Sequence, residues 1–421
     1  MPASEKALDI RVALEGSDPE IWRSLRLPLD APLNTLHEAI QRAFGWENRH
    51  LHLFHPQGVF GEARPIAGSD DSADEMDLDS AERMTVGQLL SGEGSTLVYE
   101  YDLGDSWLHT VTVTGHAIVP AGQITCLGGA NRAPLEDAGG LWGYQEKLRI
   151  LADPSDPEHA EIADWVTYVT GAYDPTAFDP AEFDLDAVNK SLARLGILLV
   201  DEPPTPEELA TVLRPVRWLL DRAREDGLEL TKDGYLKPAV VREAVLDLEL
   251  GFPWDSYKAP REVNVPPIAL LREHLQQWNL LRKYKGRLQP SPAARKTYDD
   301  DARLWGYLAD RLANQENIAL RVGMEAMVGW RLADQQVPFS QRGHAMVSVL
   351  FHAGLRPAGG GELTEQDGED VYAELRRQLN SLGIFEGDRF LGGRELTPAG
   401  LKFLLAIRRR GSTLSGGEAI P

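Results

Sequence analysis

The side chains best suited to chemistry lie in one short stretch, YDLGDSWLHTVTVTG, at residues 101–115. Asp102, Asp105 and His109 fall within eight residues and run into alternating Val and Thr, as in a β-strand. Two carboxylates and an imidazole at the edge of a strand could hold a metal ion or form an acid–base pair. Because Gly104-Asp105 is a turn sequence, Asp105 is predicted instead to accept backbone N–H groups of its own turn. Both interpretations stay open at this point.

A second group of candidates is formed by the histidines of the segment HLHLF. His50 and His52 lie two residues apart, so on a β-strand their side chains would point to the same face. If that strand pairs with the one that carries His109, a histidine cluster would form that suits zinc or another borderline metal. No H-x-x-x-H or paired-cysteine pattern accompanies it, and partly buried histidines are most often hydrogen-bonded structural residues. The ligand or metal candidates are His50, His52, Asp102, Asp105 and His109, and no cofactor is implied.

Several other kinds of site have no sequence support. Cys126 is the only cysteine, which excludes an internal disulfide and any multi-cysteine zinc site. The glycine-rich stretch GGANRAPLEDAGG matches neither of the two common phosphate-binding glycine patterns. A G-x-S-x-G nucleophile elbow is missing as well. The sequence therefore gives no residue that can be assigned as catalytic.

The composition is that of a globular protein with more than one domain. The chain has 421 residues, of which 43% are hydrophobic and 26% charged, so two or three domains are expected. No apolar run reaches the roughly 18–20 residues that span a membrane. The start, MPASEKALDI, lacks the basic-then-apolar pattern of a signal peptide. We therefore expect a cytoplasmic protein without a membrane partner, and the sequence leaves the oligomeric state open.

The net charge of −22 is concentrated in the first half of the chain. Residues 1–200 contain 13 Lys/Arg and 33 Asp/Glu, whereas residues 201–421 contain 30 and 32. An acidic half is repelled by phosphate backbones, while a nearly neutral half can carry local basic patches. The two halves are therefore predicted to be different domains with different partners.

The first half mixes strands and helices without a βαβ rhythm, which predicts an α+β fold with a mixed sheet. Alternation at Ile10, Val12 and Leu14, followed by the turn residues GSDP, predicts a hairpin. The segment APLNTLHEAIQRAFGW has helical spacing, and the acidic residues 68–82 are predicted to form a mobile surface loop. We place this domain at residues 1–200 and a proline-rich linker, DEPPTP, at residues 201–206.

Residues 207–421 are mainly helical and contain a weak internal repeat. In 280–296 and 382–404, an apolar helix end leads through a charged hairpin-like stretch to a helix that starts with proline, and 228–241 is similar. This order is typical of a winged helix, and its repetition is typical of a tandem pair. Hairpins of a helical bundle, without a nucleic-acid role, fit such short motifs nearly as well.

A basic segment in this second half could bind nucleic acid. Residues 272–296 contain seven Lys/Arg against Glu273 alone, with Trp278 and Tyr284 between them. Basic residues on a helix followed by a hairpin are placed where phosphate contacts would lie. The candidate contacts are Arg282, Lys283, Lys285 and Arg287. In the alternative, these residues form a helix face that pairs with the acidic first domain.

The first half also resembles a known family, the plasmid pRiA4b ORF-3-like proteins, often labelled as insertion-element passenger proteins. The resemblance covers about Leu8 to Leu195 and rests on five ordered blocks: IWRSLRLP, TLHEAIQRAFGWENRHLHLF, YDLGDSWLHTVTV, CLGGANRAPLEDAGGLWGYQEKL and FDPAEFDLDAVNKSL. It implies a compact α+β domain, usually without an assigned activity, and an association with mobile elements. Further positions that match the family's motifs are Trp46, Tyr101, Trp107, Glu136, Asp137 and Tyr144.

The family pattern often has additional cysteines in the stretch that reads APLEDAGG here. This chain has Ala133 and Ala138 instead, which argues against a thiol-based site. Taken together, the sequence predicts a non-enzymatic protein with an acidic partner-binding domain and a helical region that binds nucleic acid or another protein. One alternative is a metal-dependent hydrolase that uses the His/Asp candidates. Another is a scaffold for protein interactions only.

Overall fold

The structure, a computed structural model, describes residues 4–170, 178–200, 202–332, 337, 339–357, 361–386 and 395–411. The chain divides into two compact units, Met1–Asp201 and Glu202–Pro421, which we call the first unit and the second unit. The first unit is built on a sheet and the second is mainly helical. The predicted α+β fold class is therefore confirmed.

Eight strands build one sheet in the first unit: β1 (Ser4–Leu14), β2 (Trp22–Pro28), β3 (His52–His55), β4 (Ile66–Ala67), β5 (Asp79–Ser80), β6 (Thr96–Tyr101), β7 (Trp107–Pro120) and β8 (Thr125–Ala130). Their order is β5-β4-β3-β6-β7-β1-β2-β8. Only the β4–β5 pair is parallel, so the sheet is mixed as predicted. Tyr101 pairs with His52 on one side and with Trp107 on the other, so β3, β6 and β7 have neighbouring ends.

The helices of the first unit are α1 (Leu33–Phe44), α2 (Asp70–Met76), α3 (Val86–Leu89), α4 (Gly140–Ala152), α5 (His159–Thr170) and α6 (Leu185–Leu199). In α1, Leu36, Ile40 and Ala43 are buried at the helical spacing expected for one face, and Gly45 ends the helix with φ 77°. The prediction of a loop at residues 68–82 is wrong in part. This segment contains α2, because Ser69 and Ser72 form a capping box that favours the start of a helix.

The core of the first unit lies between α1 and one face of the sheet. Alternate residues of the strands, such as Ile10, Val12 and Leu25, are fully buried against α1. The same layer contains aromatic side chains, including Trp46, Tyr101 and Trp107. Burial of this apolar area stabilises the sheet at about 25 cal/mol per Å² and fixes the edge where the β6–β7 turn begins.

The second unit contains the helices α7 (Pro206–Ala223), α8 (Pro238–Asp247), α9 (Pro266–Gln277), α10 (Pro292–Thr297), α11 (Asp301–Ala313), α12 (Ile318–Leu332), α13 (Arg342–His352), α14 (Glu365–Asn380) and α15 (Pro398–Gly411). Its strands are β9 (Leu228–Glu229), β10 (Leu281–Tyr284) and β11 (Arg287–Pro290), in the order β10-β11-β9. Thr205 and Glu208 form a capping box for α7, so the last residue of the predicted linker already belongs to this helix.

The weak internal repeat of the sequence corresponds to a repeated local structure. Strands β10 and β11 form a hairpin, and Ser291 then caps α10, whose first residue is Pro292. After α14, Phe385 forms a bridge with Leu396, and α15 starts at Pro398. In the first of the similar segments, residues 228–241, Leu230 forms a β-bridge with Leu236 ahead of Pro238. Residues 387–394 of the last segment lie outside the described residues.

Within the described ranges, no helix is both long and apolar enough to span a lipid bilayer.

Candidate functional site

Four side chains converge where the β6–β7 turn meets the loop before α4, and we call them the His50 cluster: His50, Asp102, Glu136 and Asp137. The Nε2 atom of His50 lies 3.6 Å from an Asp102 oxygen, 3.6 Å from a Glu136 oxygen and 3.3 Å from an Asp137 oxygen. One ligand atom each from His50, Asp102 and Asp137 can be chosen so that all lie within 4.8 Å of one another. His50, Asp102 and Asp137 therefore present one imidazole and two carboxylates at a common point, and the Glu136 carboxylate lies beside His50.

Asp102 is positioned by the backbone of the turn. It follows the last residue of β6 with φ 58°, and its N–H donates to the carbonyl of Leu51 at 2.9 Å. Its Oδ1 atom accepts the N–H groups of Gly104 at 2.9 Å and Asp105 at 3.3 Å. This leaves Oδ2 directed at His50. The turn-stabilising role predicted for Asp105 is thus filled by Asp102.

Asp105 ties the turn to the loop that carries the other two carboxylates. Its Oδ2 atom accepts the N–H of Gly139 at 2.9 Å. Gly140 packs so closely that a Cβ atom there would lie 2.8 Å from the Asp105 carbonyl oxygen. With φ 67° as well, this position requires glycine. The contact holds Glu136 and Asp137 over the end of β6.

Glu136 is the most buried acid of the cluster and is held by two donors. The Glu47 N–H donates to its Oε1 at 2.8 Å, and the Tyr101 hydroxyl donates to its two oxygens at 3.0 and 3.2 Å. Burial is the main reason that the pKa of Glu136 is raised above its ordinary value. Asp137, by contrast, has a 63% exposed side chain. The cluster therefore has a buried side and a side open to solvent.

The predicted histidine cluster does not form at this place. His52 stacks on His37 with ring centroids 3.5 Å apart, and His109 is fully buried against Phe44 and Trp46. Burial lowers the pKa of both His52 and His109 to about 4, so they are neutral core residues.

Two features explain why the histidines separate. Strand β3 begins only at His52, so His50 precedes the strand and the alternation rule does not apply to it. His109 shares the inward face of β7 with Trp107. Of the five ligand candidates, the structure brings together His50 and Asp102, with Asp105 as a neighbour that supports the loop.

Reasoning from spacing alone missed Glu136 and Asp137, which entered only through the family resemblance. Their signal is the sequence PLEDAGG, in which acids precede a pair of glycines that can take up positive φ. The remaining motif positions are structural. Trp46 donates its indole N–H to the Pro134 carbonyl at 2.9 Å, and Trp107 and Tyr144 are buried.

Comparison with known proteins places these residues in a family. A family model described as "Plasmid pRiA4b ORF-3-like protein" matches residues 6–187. The uncharacterized protein y4hQ of Sinorhizobium fredii (strain NBRC 101917 / NGR234) is 31% identical over 189 residues, which cover 44% of this chain and 91% of that relative. The chain belongs to the plasmid pRiA4b ORF-3-like family. All four residues of the His50 cluster lie within the region that the family model matches.

Two further similarities were found. A protein of unknown function, MM3350, from Methanosarcina mazei Go1 has a crystal structure that is 29% identical, with a TM-score of 0.37. It covers 43% of this chain and 97% of that one. A model described as "Y4jL N-terminal domain" matches residues 208–303. This match begins after the pRiA4b ORF-3-like region and includes the predicted basic segment.

The basic candidates in this second region form an exposed hairpin. Arg282, Lys283 and Lys285 are exposed on β10 and at its turn, and none of them is in an ion pair among the described residues. The Arg282 guanidinium and the Lys285 ammonium lie 5.5 and 5.2 Å from the ring centroid of Tyr284, which is 48% exposed. We call Arg282, Lys283, Tyr284 and Lys285 the basic hairpin.

The fourth basic candidate has a different role. The guanidinium of Arg287 donates to the carbonyls of Asp226 and Gly227 and pairs with Glu229 at 3.3 Å, which ties β11 to β9. Arg272, which lies in the same basic segment, is buried and paired with Glu262 at 2.5 Å. Both side chains stabilise the second unit rather than extend its basic surface.

Proposed function

We propose that the second unit binds nucleic acid as a winged helix formed by residues 206–290. The order of elements supports this assignment: helix α7, strand β9, helices α8 and α9, then the hairpin β10–β11. The last strand lies between the other two in the sheet, as the third strand of a winged helix does. A shared fold does not imply a shared function, so the function must come from the side chains.

The observation that carries the proposal is the unpaired charge of the basic hairpin. Several other arginines of this unit have acidic partners, such as Arg217 with Asp301 and Arg222 with Asp247. The basic hairpin instead presents three cations within four residues, around an exposed aromatic ring. Cations of this kind bind phosphates and release counterions, and a tyrosine can stack on a base or a sugar.

In this proposal the first unit limits nonspecific binding and holds a separate partner. Nearly all of the net negative charge of the chain lies in residues 1–200, so this part is repelled by phosphate backbones. The hairpin must then supply the local attraction. A short, charge-dominated contact predicts an affinity that falls steeply with salt concentration.

The test uses the full chain and fluorescence anisotropy with labelled duplex DNA at 50 to 200 mM salt. The triple variant R282A/K283A/K285A should bind at least tenfold more weakly at the lowest salt. It should also reduce the slope of log K against log[salt] by about 2.7, since each phosphate contact contributes about 0.9.

A matched control removes three exposed basic residues elsewhere in the second unit, K258A/R261A/R321A. This control has the same net charge and should bind within about twofold of the unmodified chain. If the control loses as much affinity as the hairpin variant, a general charge effect replaces the hairpin proposal. If the unmodified chain does not bind DNA at 50 mM salt, the scaffold alternative is preferred.

A further inference from the structure

We propose that the His50 cluster is a binding site for one divalent transition-metal ion. The ligands are His50 Nε2 and carboxylate oxygens of Asp102 and Asp137, and the carboxylate of Glu136 lies next to His50. It lies in the first unit and is independent of the nucleic-acid contact proposed for the second.

The spacing of the ligand atoms fits a metal. Zinc binds imidazole nitrogen and carboxylate oxygen at about 2.0–2.2 Å, so the ligands of a tetrahedral site lie roughly 3.3–3.6 Å apart. The three distances from His50 Nε2 to the carboxylate oxygens are 3.3, 3.6 and 3.6 Å. The distances from His50 to the carboxylates are therefore those of a metal site, and ligand atoms of His50, Asp102 and Asp137 all lie within 4.8 Å of one another.

The histidine nitrogen gives a second, independent indication. Nε2 of His50 has almost no solvent-accessible surface and, among the residues that the structure describes, no hydrogen-bond partner. An imidazole N–H among three carboxylates would normally point at one of them. Unlike Nε2 of His52 and His109, which also lacks a partner, this nitrogen lies 3.3–3.6 Å from three carboxylate oxygens, so its lone pair is available to a cation at that point.

The charge balance points the same way. Among the described residues, His50 is the only ion-pair partner within 4 Å of Asp102, Glu136 and Asp137. Arg49 pairs with Glu47, and Lys147 donates to the Ala138 carbonyl at 2.8 Å. Carboxylates collected at one point repel each other, and a divalent cation removes this repulsion.

The donor types select the class of ion. Imidazole nitrogen suits zinc, iron, copper and nickel, whereas calcium and magnesium prefer sites made of oxygen alone. A site with one nitrogen and two or three carboxylate oxygens therefore favours Zn²⁺ or Mn²⁺ over Ca²⁺ and Mg²⁺. Because Asp137 is largely exposed, the ion would remain accessible from solvent. The hydrolase alternative requires such an ion, so one experiment tests its first condition as well.

The experiment is isothermal titration calorimetry of the tag-free full chain, stripped with EDTA and titrated in turn with Zn²⁺, Mn²⁺, Ca²⁺ and Mg²⁺. We expect one Zn²⁺ or Mn²⁺ per chain, bound at least tenfold more tightly than Ca²⁺ or Mg²⁺. D102N should weaken this binding at least tenfold. Asparagine keeps the side-chain oxygen that accepts from Gly104 and tolerates a positive φ, so the turn is retained while the charge is lost.

Two matched pairs separate a ligand role from a general effect. H50Q and D137N should each weaken binding at least tenfold, whereas H116Q and D79N should leave it within twofold. His116 is an exposed histidine and Asp79 an exposed aspartate of the same sheet. Near-UV circular dichroism of each apo variant checks that the fold is intact.

Three results would overturn the proposal. They are the absence of one-to-one Zn²⁺ or Mn²⁺ binding below about 100 µM, equal losses in the control variants, and equally tight Ca²⁺ or Mg²⁺ binding. The last result would contradict the assigned ion class.

Discussion

The two units differ in how they bury groups that can carry charge. The first unit buries His37, His52 and His109, and desolvation lowers the pKa of all three, so they are neutral inside the fold. The second unit buries charges in pairs. Glu262 and Arg272 are bonded at 2.5 Å with side chains that are 0% and 3% exposed. The first unit therefore keeps its core histidines neutral, whereas the second pairs a buried cation with a buried anion.

The surfaces show the complementary difference. In the first unit the uncompensated groups are the acids of the His50 cluster, whereas in the second they are the cations of the basic hairpin. Carboxylates held close together repel one another, and a cluster of exposed cations attracts anions. The comparison therefore suggests ligands of opposite sign, a cation for the first unit and a polyanion for the second.

Lowering the pH should produce the largest difference in stability between the two units. The pKa of His52 and His109 is about 4 in the fold, against about 6.5 in the unfolded chain, so between these pH values only the unfolded chain takes up the protons. Each histidine then costs the first unit up to about 3 kcal/mol as pH falls from 6.5 to 4. In the second unit, a hydrogen bond from His274 is the main reason that the pKa of Glu374 is lowered to about 2. Its contribution is lost only as pH falls from about 4.5 towards 2.

Pulse-labelled hydrogen exchange at a fixed labelling pH measures this difference. Strands β6 and β7 should lose protection near pH 5, while α14 remains protected to below pH 4. The variant H109F removes one titrating group and should move the midpoint of the first unit to lower pH. Loss of protection in the second unit first, or in both units together, would contradict this account of the buried histidines.

Much of the fold was predictable because it depends on short-range patterns. The β1–β2 hairpin follows from alternation at Ile10, Val12 and Leu14 and from turn residues, and α1 follows from helical spacing. The site was predictable only in part. Asp102 and His50 were candidates, but their contact depends on a residue with φ 58° and on a strand that starts two residues after His50. Neither feature has a periodic signal in the sequence.

The other half of the site depends on contacts between distant segments. Glu136 lies 34 residues beyond Asp102 in the chain and is held by Tyr101 and by the Glu47 N–H. Spacing within one element cannot predict such a contact. His109 shows the converse, since its residue type suggested a ligand while its place on the inward face of β7 made it a core residue.

Two buried tyrosine hydrogen bonds, one to a charged acceptor and one to a neutral acceptor, allow a test with a smaller expected effect. Tyr101 donates to the buried carboxylate of Glu136, and Tyr298 donates to the Leu220 carbonyl in the second unit. Y101F should cost about 1.5–3 kcal/mol, because a buried carboxylate loses a donor, and Y298F about 0.5–1.5 kcal/mol. Chemical denaturation followed by hydrogen exchange assigns each loss to its unit. Equal losses would show that the charge of Glu136 adds nothing to this bond.

The smallest predicted effect concerns the backbone of the basic hairpin. Lys285 and Gly286 have φ 48° and 73°, as a two-residue turn of type I′ requires, and lysine is disfavoured at the first of these positions. K285N should stabilise the second unit by about 0.5 kcal/mol, because asparagine tolerates this conformation. It should also reduce the salt slope of DNA binding by about 0.9.

The matched variant K283N removes the same charge from the middle of β10, where the backbone is that of an ordinary strand. It should reduce the salt slope equally without the gain in stability. Among the non-glycine residues of positive φ, Asp102 lies at the proposed metal site of the first unit and Lys285 at the proposed phosphate contact of the second. If K285N and K283N change stability equally, the turn at Lys285 is not strained and this parallel between the units fails.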